Sequence, residues 1–302
     1  MSSLIPATFS ALLTGRPPQP YISGNTWLTR VPRLVEESLA TWDLTLDGDP
    51  MHGTAALVLP VRRRDGCSAV LKVTWPHVQA RHEHLALQHW GGRGAVRLLA
   101  ASPAHWTMLL ERLNGCRDLQ DVPIDEACTV IGTLLHQLNH DALPQLPRLS
   151  AETAQLAHRF GSAPPAMPRR FVQQARALLL ELAADAAIDS RMVNTDLHYG
   201  NVLAAERQPW LAIHPKPLTA DPAFAVAPAL WNRWEEAIAS GNLRARLRRR
   251  LSIVCASAGL DEERARAWSI VREVQMGLSA IERDDADELT KTIAIIKAIQ
   301  PG

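Results

Sequence analysis

The feature that most constrains the fold is a change of hydrophobic period near Asn114-Gly115. Before it, short apolar or alternating runs read as strands; after it, most apolar sets repeat at helical spacing. Residues 55–61 form an apolar run, and residues 68–75 carry Val70, Leu71 and Val73. Between them, Arg62-Arg63-Arg64-Asp65-Gly66 reads as a polar hairpin turn. Residues 95–100 and 106–113 are two further strand candidates, with Pro103 in the turn, and residues 77–90 are the one helix among them, stopped by Gly91-Gly92. Beyond the change, Ile124, Ala127, Ile131, Leu134, Leu135 and Leu138 predict an amphipathic helix over residues 123–140. Residues 151–161, 168–187, 228–239, 243–258, 261–283 and 285–299 also read as helices, around a small strand pair within 202–213. The expected class is α+β and two-lobed, with a β-rich N-terminal lobe and a mainly helical C-terminal lobe. Residues 1–35, interrupted by Pro17, Pro18, Pro20 and Pro32, form a lead segment, followed by lobes at 36–114 and 115–302.

Composition narrows the partners. A net charge of +1 creates no global field for nucleic acid or an anionic membrane. No apolar run reaches membrane-spanning length. Met1-Ser2-Ser3-Leu4-Ile5 has no basic segment before its apolar residues, so no signal peptide is expected. Cys67, Cys116, Cys128 and Cys255 form no Cys-x-x-Cys pair, which argues against zinc and against a disulfide framework. The expectation is a cytoplasmic protein with neither nucleic acid nor membrane as a partner.

The chemistry concentrates in two places. Asp196 precedes Asn201 by five positions, and Val202-Leu203 then opens the strand pair that leads to His214. A loop carboxylate can accept a hydroxyl proton, and an amide oxygen suits a hard cation such as Mg²⁺. Taken singly, Asp196 is a turn or cap residue and Asn201 a turn residue after Gly200. The spacing and the strands that follow favour phosphoryl transfer with Asp196 as the base. Lys72 ends the run Ala69-Val70-Leu71-Lys72, a placement suited to neutralising phosphate. Glu83 shares a helix face with Leu87 and Trp90, so its carboxylate points inward and Lys72 is its natural partner; a solvated surface Glu is the alternative. Gly48 and Gly53 bracket a turn that could approach phosphate or be a plain hairpin. The run of Arg244, Arg246, Arg248, Arg249 and Arg250 reads as a solvated helix face. His77, His82, His84 and His89 do not line up as metal ligands.

With those residues quoted, the chain from about Trp42 onward resembles the aminoglycoside phosphotransferase superfamily, in its streptomycin 6-kinase or aminoglycoside/hydroxyurea resistance kinase group. The matching segments include Ala69-Val70-Leu71-Lys72-Val73, Leu109-Leu110-Glu111-Arg112-Leu113, Asp196-Leu197-His198, Asn201-Val202-Leu203 and Pro215-Lys216-Pro217 with Asp221-Pro222. The resemblance implies a protein-kinase-like fold, ATP, Mg²⁺ and transfer of the γ-phosphoryl to a small-molecule hydroxyl. It further implies that Glu111 to Leu113 form the adenine hinge and that Asn201 and position 214 face the metal. The chain departs from the pattern at three points. Asn194-Thr195-Asp196 stands for His-Gly-Asp, which implies a looser loop. Ala220-Asp221-Pro222 stands for Gly-Asp-Pro. At 214 a His replaces the metal-bridging Asp, and imidazole suits Mn²⁺ or Zn²⁺ better than Mg²⁺. Asp221 is then a candidate substitute ligand. The alternative reading is a pseudokinase that binds nucleotide or ligand without turnover.

Overall fold

A computed structural model describes residues 4–300, so Met1-Ser2-Ser3, read above for a signal sequence, lies outside the described residues. The chain divides into two compact units, Met1–Asn114 and Gly115–Gly302.

The first unit holds helices α1 (Ala7–Leu13) and α2 (Gly24–Thr41), then strands β1 (Leu44–Leu46), β2 (Met51–His52), β3 (Ala56–Arg63) and β4 (Ser68–Thr74). Helix α3 (Glu83–Trp90) and strands β5 (Leu98–Ser102) and β6 (Thr107–Glu111) complete it. The sheet runs β1-β3-β4-β6-β5, with β2 paired to β3 and every pairing antiparallel. Side chains alternate across it. Ala69, Leu71 and Val73 join Leu57, Leu59 and Val61 in a core with Phe9, Leu13, Trp27, Val31 and Val35. Lys72 therefore projects to the opposite face, toward Glu83 of α3.

That core corrects the lead-segment reading. Residues 1–35 are not set apart by their prolines: α2 runs through Pro32 and past residue 35. Ser23 caps it by accepting from the Thr26 N–H at 3.3 Å. An internal proline costs about 3 kcal/mol. Trp27, Val31 and Val35, one turn apart and buried, return about 1.5–3 kcal/mol each. Pro32 itself is exposed. The helix expected over residues 77–90 is also shorter, with a 3₁₀ turn at Val78–Ala80 and the α-helix starting at Glu83. A parallel bridge between Gln19 and His77 holds the segment before it extended.

The second unit is mainly helical. In chain order it contains β7 (Asn114–Asp118), α4 (Ile124–Leu138), β8 (His140–Asp141), α5 (Leu149–Gly161) and α6 (Arg169–Ala183). Strands β9 (Arg191–Asn194), β10 (Val202–Ala204), β11 (Trp210–Ala212) and β12 (Pro217–Ala220) follow. Then come α7 (Pro228–Trp231), α8 (Trp234–Ala239), α9 (Leu243–Ala258), α10 (Glu262–Glu282) and α11 (Ala286–Ile299). The strands form two small sheets, ordered β11-β10-β7 and β12-β9-β8. The helix expected over residues 228–239 is two helices, because Arg233 adopts a left-handed φ of 53°. Its guanidinium donates to the Leu119 carbonyl at 3.2 Å and to the Val122 carbonyl at 2.5 Å.

The basic run on α9 is also corrected. Arg250 is 3% exposed and donates to the carbonyls of Asn232 and Arg233. Arg249 pairs with Asp125, and Arg248 donates to the carbonyls of Ala298 and Gln300. These arginines tie loops and helix ends to α9 instead of forming one solvated face.

α4 and α9 touch backbone to backbone. A Cβ at Gly132 would sit 2.5 Å from the Val254 carbonyl oxygen and 2.6 Å from the Ser257 Cβ. Gly132→Ala is expected to cost about 1–3 kcal/mol through overpacking, despite alanine's better helix propensity. A denaturant titration showing equal or greater stability would refute this.

Candidate active site

The first unit brings Lys72 and Glu83 together. Lys72 lies on β4 at the register of Met108, and its Nζ donates to Glu83 Oε1 at 2.5 Å. The side chains are 8% and 1% exposed, so the pair is held out of water. The inward orientation read from the Glu83–Leu87–Trp90 face is the one the structure has. Glu111 ends β6, two strand positions past Leu109. Its carboxylate accepts the Arg97 N–H at 2.7 Å, and its own N–H donates to the Arg97 carbonyl at 3.1 Å. The Glu111 side chain thus closes the strand edge, with Leu113 just beyond the strand.

The second unit builds the catalytic-loop candidate between β9 and β10. Asn194 Oδ1 accepts the N–H of both Asp196 and Lys216, each at 3.1 Å. Thr195 donates its N–H and its hydroxyl to the Lys216 carbonyl, each at 3.0 Å. The loop expected to loosen without a family-type His and Gly is therefore laced to Lys216, just before β12, by three hydrogen bonds, and a fourth, from the Asp196 N–H to Asn194, closes it on itself. Buried Tyr199 anchors the other end. Its hydroxyl donates to the Ala229 carbonyl at 3.0 Å and lies 3.2 Å from Cys128 Sγ.

Asn201 Nδ2 donates to the Asp196 carbonyl at 3.0 Å, so the five-residue spacing closes a hydrogen-bonded loop. The Asn201 carbonyl accepts from the Ile213 N–H at 2.9 Å, which sets His214 beside it. His214 has a left-handed φ of 49°, a region that His, Asn and Asp enter more readily than most side chains.

Lys216 stands in the sequence only as the centre of Pro215-Lys216-Pro217, yet its Nζ sits 2.9 Å from Asp196 Oδ2. Asp196 is 20% exposed and Lys216 28%, so water and ligands reach both. With Oδ2 engaged by the ammonium, Oδ1 is the oxygen positioned to accept a proton. Two residues on, burial lowers the His198 imidazole pKa and keeps the ring neutral at pH 7.

Asp221 does not take over a metal site. It is 3% exposed, caps the Ala223 N–H at 2.9 Å, and accepts from Trp268 Nε1 at 2.8 Å and from Arg264 Nε. All its capacity is spent inside the fold. Among the described residues no group of three or more His, Cys, Asp and Glu is placed to hold a metal. One amide oxygen from Asn201, the His214 imidazole and an Asp196 already paired with an ammonium do not fit a protein-held magnesium ion. No helix among the described residues is long and apolar enough to cross a membrane.

Known proteins resemble this chain in sequence and in fold. A family described as aminoglycoside/hydroxyurea antibiotic resistance kinase matches residues 41–286. Streptomycin 6-kinase of Streptomyces glaucescens is 38% identical over 283 residues, covering 92% of each chain. Hydroxyurea phosphotransferase of Kitasatospora aureofaciens is 37% identical over 285 residues, covering 92% of this chain and 81% of that one. Among solved structures, a thermostable mutant of an aminoglycoside phosphotransferase in complex with ADP and hygromycin B has a TM-score of 0.58 at 15% identity, covering 88% of this chain and 99% of that chain. A choline/ethanolamine kinase family protein from Mesorhizobium loti also has a TM-score of 0.58, at 14% identity, covering 89% and 100%. These neighbours share the protein-kinase-like fold.

Proposed function

This chain belongs to the aminoglycoside/hydroxyurea antibiotic resistance kinase family, and from that premise we propose that it phosphorylates a hydroxyl of a streptomycin-like aminoglycoside with ATP. It is a small-molecule phosphotransferase; the acceptor class is the proposed part. The observation that carries the site assignment is the hydrogen-bonded Asp196–Asn201 loop with Lys216 on Asp196 Oδ2.

In the proposed reaction the acceptor hydroxyl oxygen attacks the γ-phosphorus and the bond to the bridging oxygen of ADP breaks. The hydroxyl proton passes to Asp196. Lys72, held by Glu83, neutralises phosphate charge, and backbone between Glu111 and Leu113 meets the adenine. Positioning and charge stabilisation dominate this chemistry. A divalent ion entering with the nucleotide would supply charge neutralisation on its phosphates, and no step is assigned to a metal held by the protein.

The test is mass spectrometry of streptomycin and hydroxyurea after incubation with protein, ATP and Mg²⁺ or Mn²⁺. Gain of one phosphoryl group on streptomycin supports the reading; an unmodified drug under both ions rejects it.

Position 214 favours a second reading, nucleotide binding with little turnover. His214→Asp restores a carboxylate at a left-handed position that Asp tolerates. It is expected to raise Mg²⁺-supported turnover by about 10²-fold, the scale of one well-placed electrostatic group, and to shift ion preference from Mn²⁺ toward Mg²⁺. Unchanged rates with both ions in a variant that still binds ATP would show that position 214 does not limit the reaction.

A further inference from the structure

One face of α10 grips the catalytic loop. Arg264, Trp268 and Arg272 are spaced four apart, so their side chains share that face. Arg264 Nε and Trp268 Nε1 donate to Asp221, at the start of the 3₁₀ turn Pro222–Ala225. Arg264 Nη1 also reaches Asp185 at 2.8 Å. One turn further along, Arg272 Nη1 donates to the Phe224 carbonyl at 3.0 Å, and Nη2 donates to the Thr195 carbonyl at 2.9 Å. Its guanidinium carbon stands 4.7 Å from the Phe224 ring centroid and 4.9 Å from that of Trp231. Phe224 meets Trp268 edge-on at 5.3 Å.

Thr195 is thereby held from two sides. Lys216 takes its N–H and hydroxyl; Arg272 takes its carbonyl. The peptide that Arg272 holds joins Thr195 to Asp196. Fixing its carbonyl fixes the plane from which the Asp196 side chain leaves the backbone. A guanidinium suits this task because its planar fork offers two donors in fixed geometry, which an ammonium does not. Burial pulls Arg272 down to about 10, partly offset by the charge of Asp196, so it stays cationic at neutral pH.

We infer that Arg272 is a positioning residue for phosphoryl transfer: its guanidinium, stacked between Phe224 and Trp231, clamps the Thr195–Asp196 peptide and so aims the catalytic carboxylate. The inference rests on the phosphotransferase reading for its kinetic consequence, while the clamp itself can be read without turnover.

The experiment compares wild type with Arg272→Met and Arg272→Lys in the full chain. Two readouts are used: amide hydrogen exchange and steady-state kinetics with ATP and streptomycin. In Arg272→Met the amides of the 195–201 loop are expected to exchange about tenfold faster or more, with those of α4 and α9 unchanged. kcat is expected to fall about 10–100-fold, the scale of a misaimed reacting group, with KM for ATP within about twofold. Arg272→Lys keeps the charge and loses the fork, so it is expected to recover only part of kcat. A folded Arg272→Met protein with wild-type kcat and wild-type loop exchange overturns the inference. So does an equal loss of protection in α4, α9 and the loop, which marks a merely structural residue. If Arg272→Met does not fold, Arg272→Lys decides by the same two readouts. If wild type turns over no acceptor, the phosphotransferase reading fails, and loop exchange alone judges the clamp.

Discussion

Asp196→Asn is expected to lower turnover about 10²–10⁴-fold, the usual contribution of a positioned general base, while affinity for ATP stays within about twofold. The two side chains are nearly the same size, so the loop keeps its backbone bonds from Asn194, Thr195 and Asn201. What disappears is the proton acceptor at Oδ1 and the partner of Lys216 at Oδ2. Lys216, more than a quarter exposed, can be hydrated, so the fold is not expected to suffer. Turnover of streptomycin and calorimetric ATP binding, measured on the same preparation, separate the two effects. An Asp196→Asn protein with wild-type kcat would remove Asp196 from the role of base.

Stability is expected to fall with rising pH because of a residue outside the reaction. Glu273 lies on α10, fully buried, and neither of its carboxylate oxygens has a hydrogen-bond partner. Arg272 is its chain neighbour, and Glu288 and Lys291 of α11 act on it through charge. Burial is the largest influence and raises its pKa from 4.5 to about 8, so the folded protein keeps it protonated at neutral pH. In the unfolded chain the same group ionises near its ordinary value. Between those values the folded state binds more protons, and stability therefore drops as pH rises from about 4.5 through about 8, then levels. The interval corresponds to about 4–5 kcal/mol in total. Glu273→Gln carries no such charge and is expected to be more stable than wild type above pH 8 by a few kcal/mol, with the gap closing toward pH 4.5. Urea titrations of both proteins across that range check it. Parallel stability curves would show that Glu273 ionises in place or never carries the load.

Much of the candidate site's geometry was legible because its logic is local. The Asp196–Asn201 spacing survives as a hydrogen bond across one loop, and the inward face of α3 follows from positions 83, 87 and 90. Lys72 meets Glu83 only eleven residues away. Element type was equally readable wherever a period ran long enough, as in α4 and α9 to α11. The misreadings came from places where packing outweighs local preference. Pro32 sits inside α2 because three buried side chains of the same helix compensate for it. The helix over residues 228–239 breaks at Arg233, whose guanidinium is needed by carbonyls more than a hundred residues earlier.

By itself, then, the sequence determined the two-lobed α+β order, the loop that pairs Asp196 with Asn201, and the His at position 214, because periodicity and short spacings act within a few turns of chain. Only the tertiary structure decided what each charged group is for. Asp221 could have faced a metal, and instead it is consumed by Arg264 and Trp268. Lys216 reaches Asp196 from across the strand pair, and Arg272 reaches Thr195 over a separation of 77 residues. Glu273 looks like any helix-surface carboxylate until the fold buries it completely. A charge in water costs little wherever it lies, so its neighbours in sequence say little about it; once folding removes the water, its role is set by whichever partner the fold delivers.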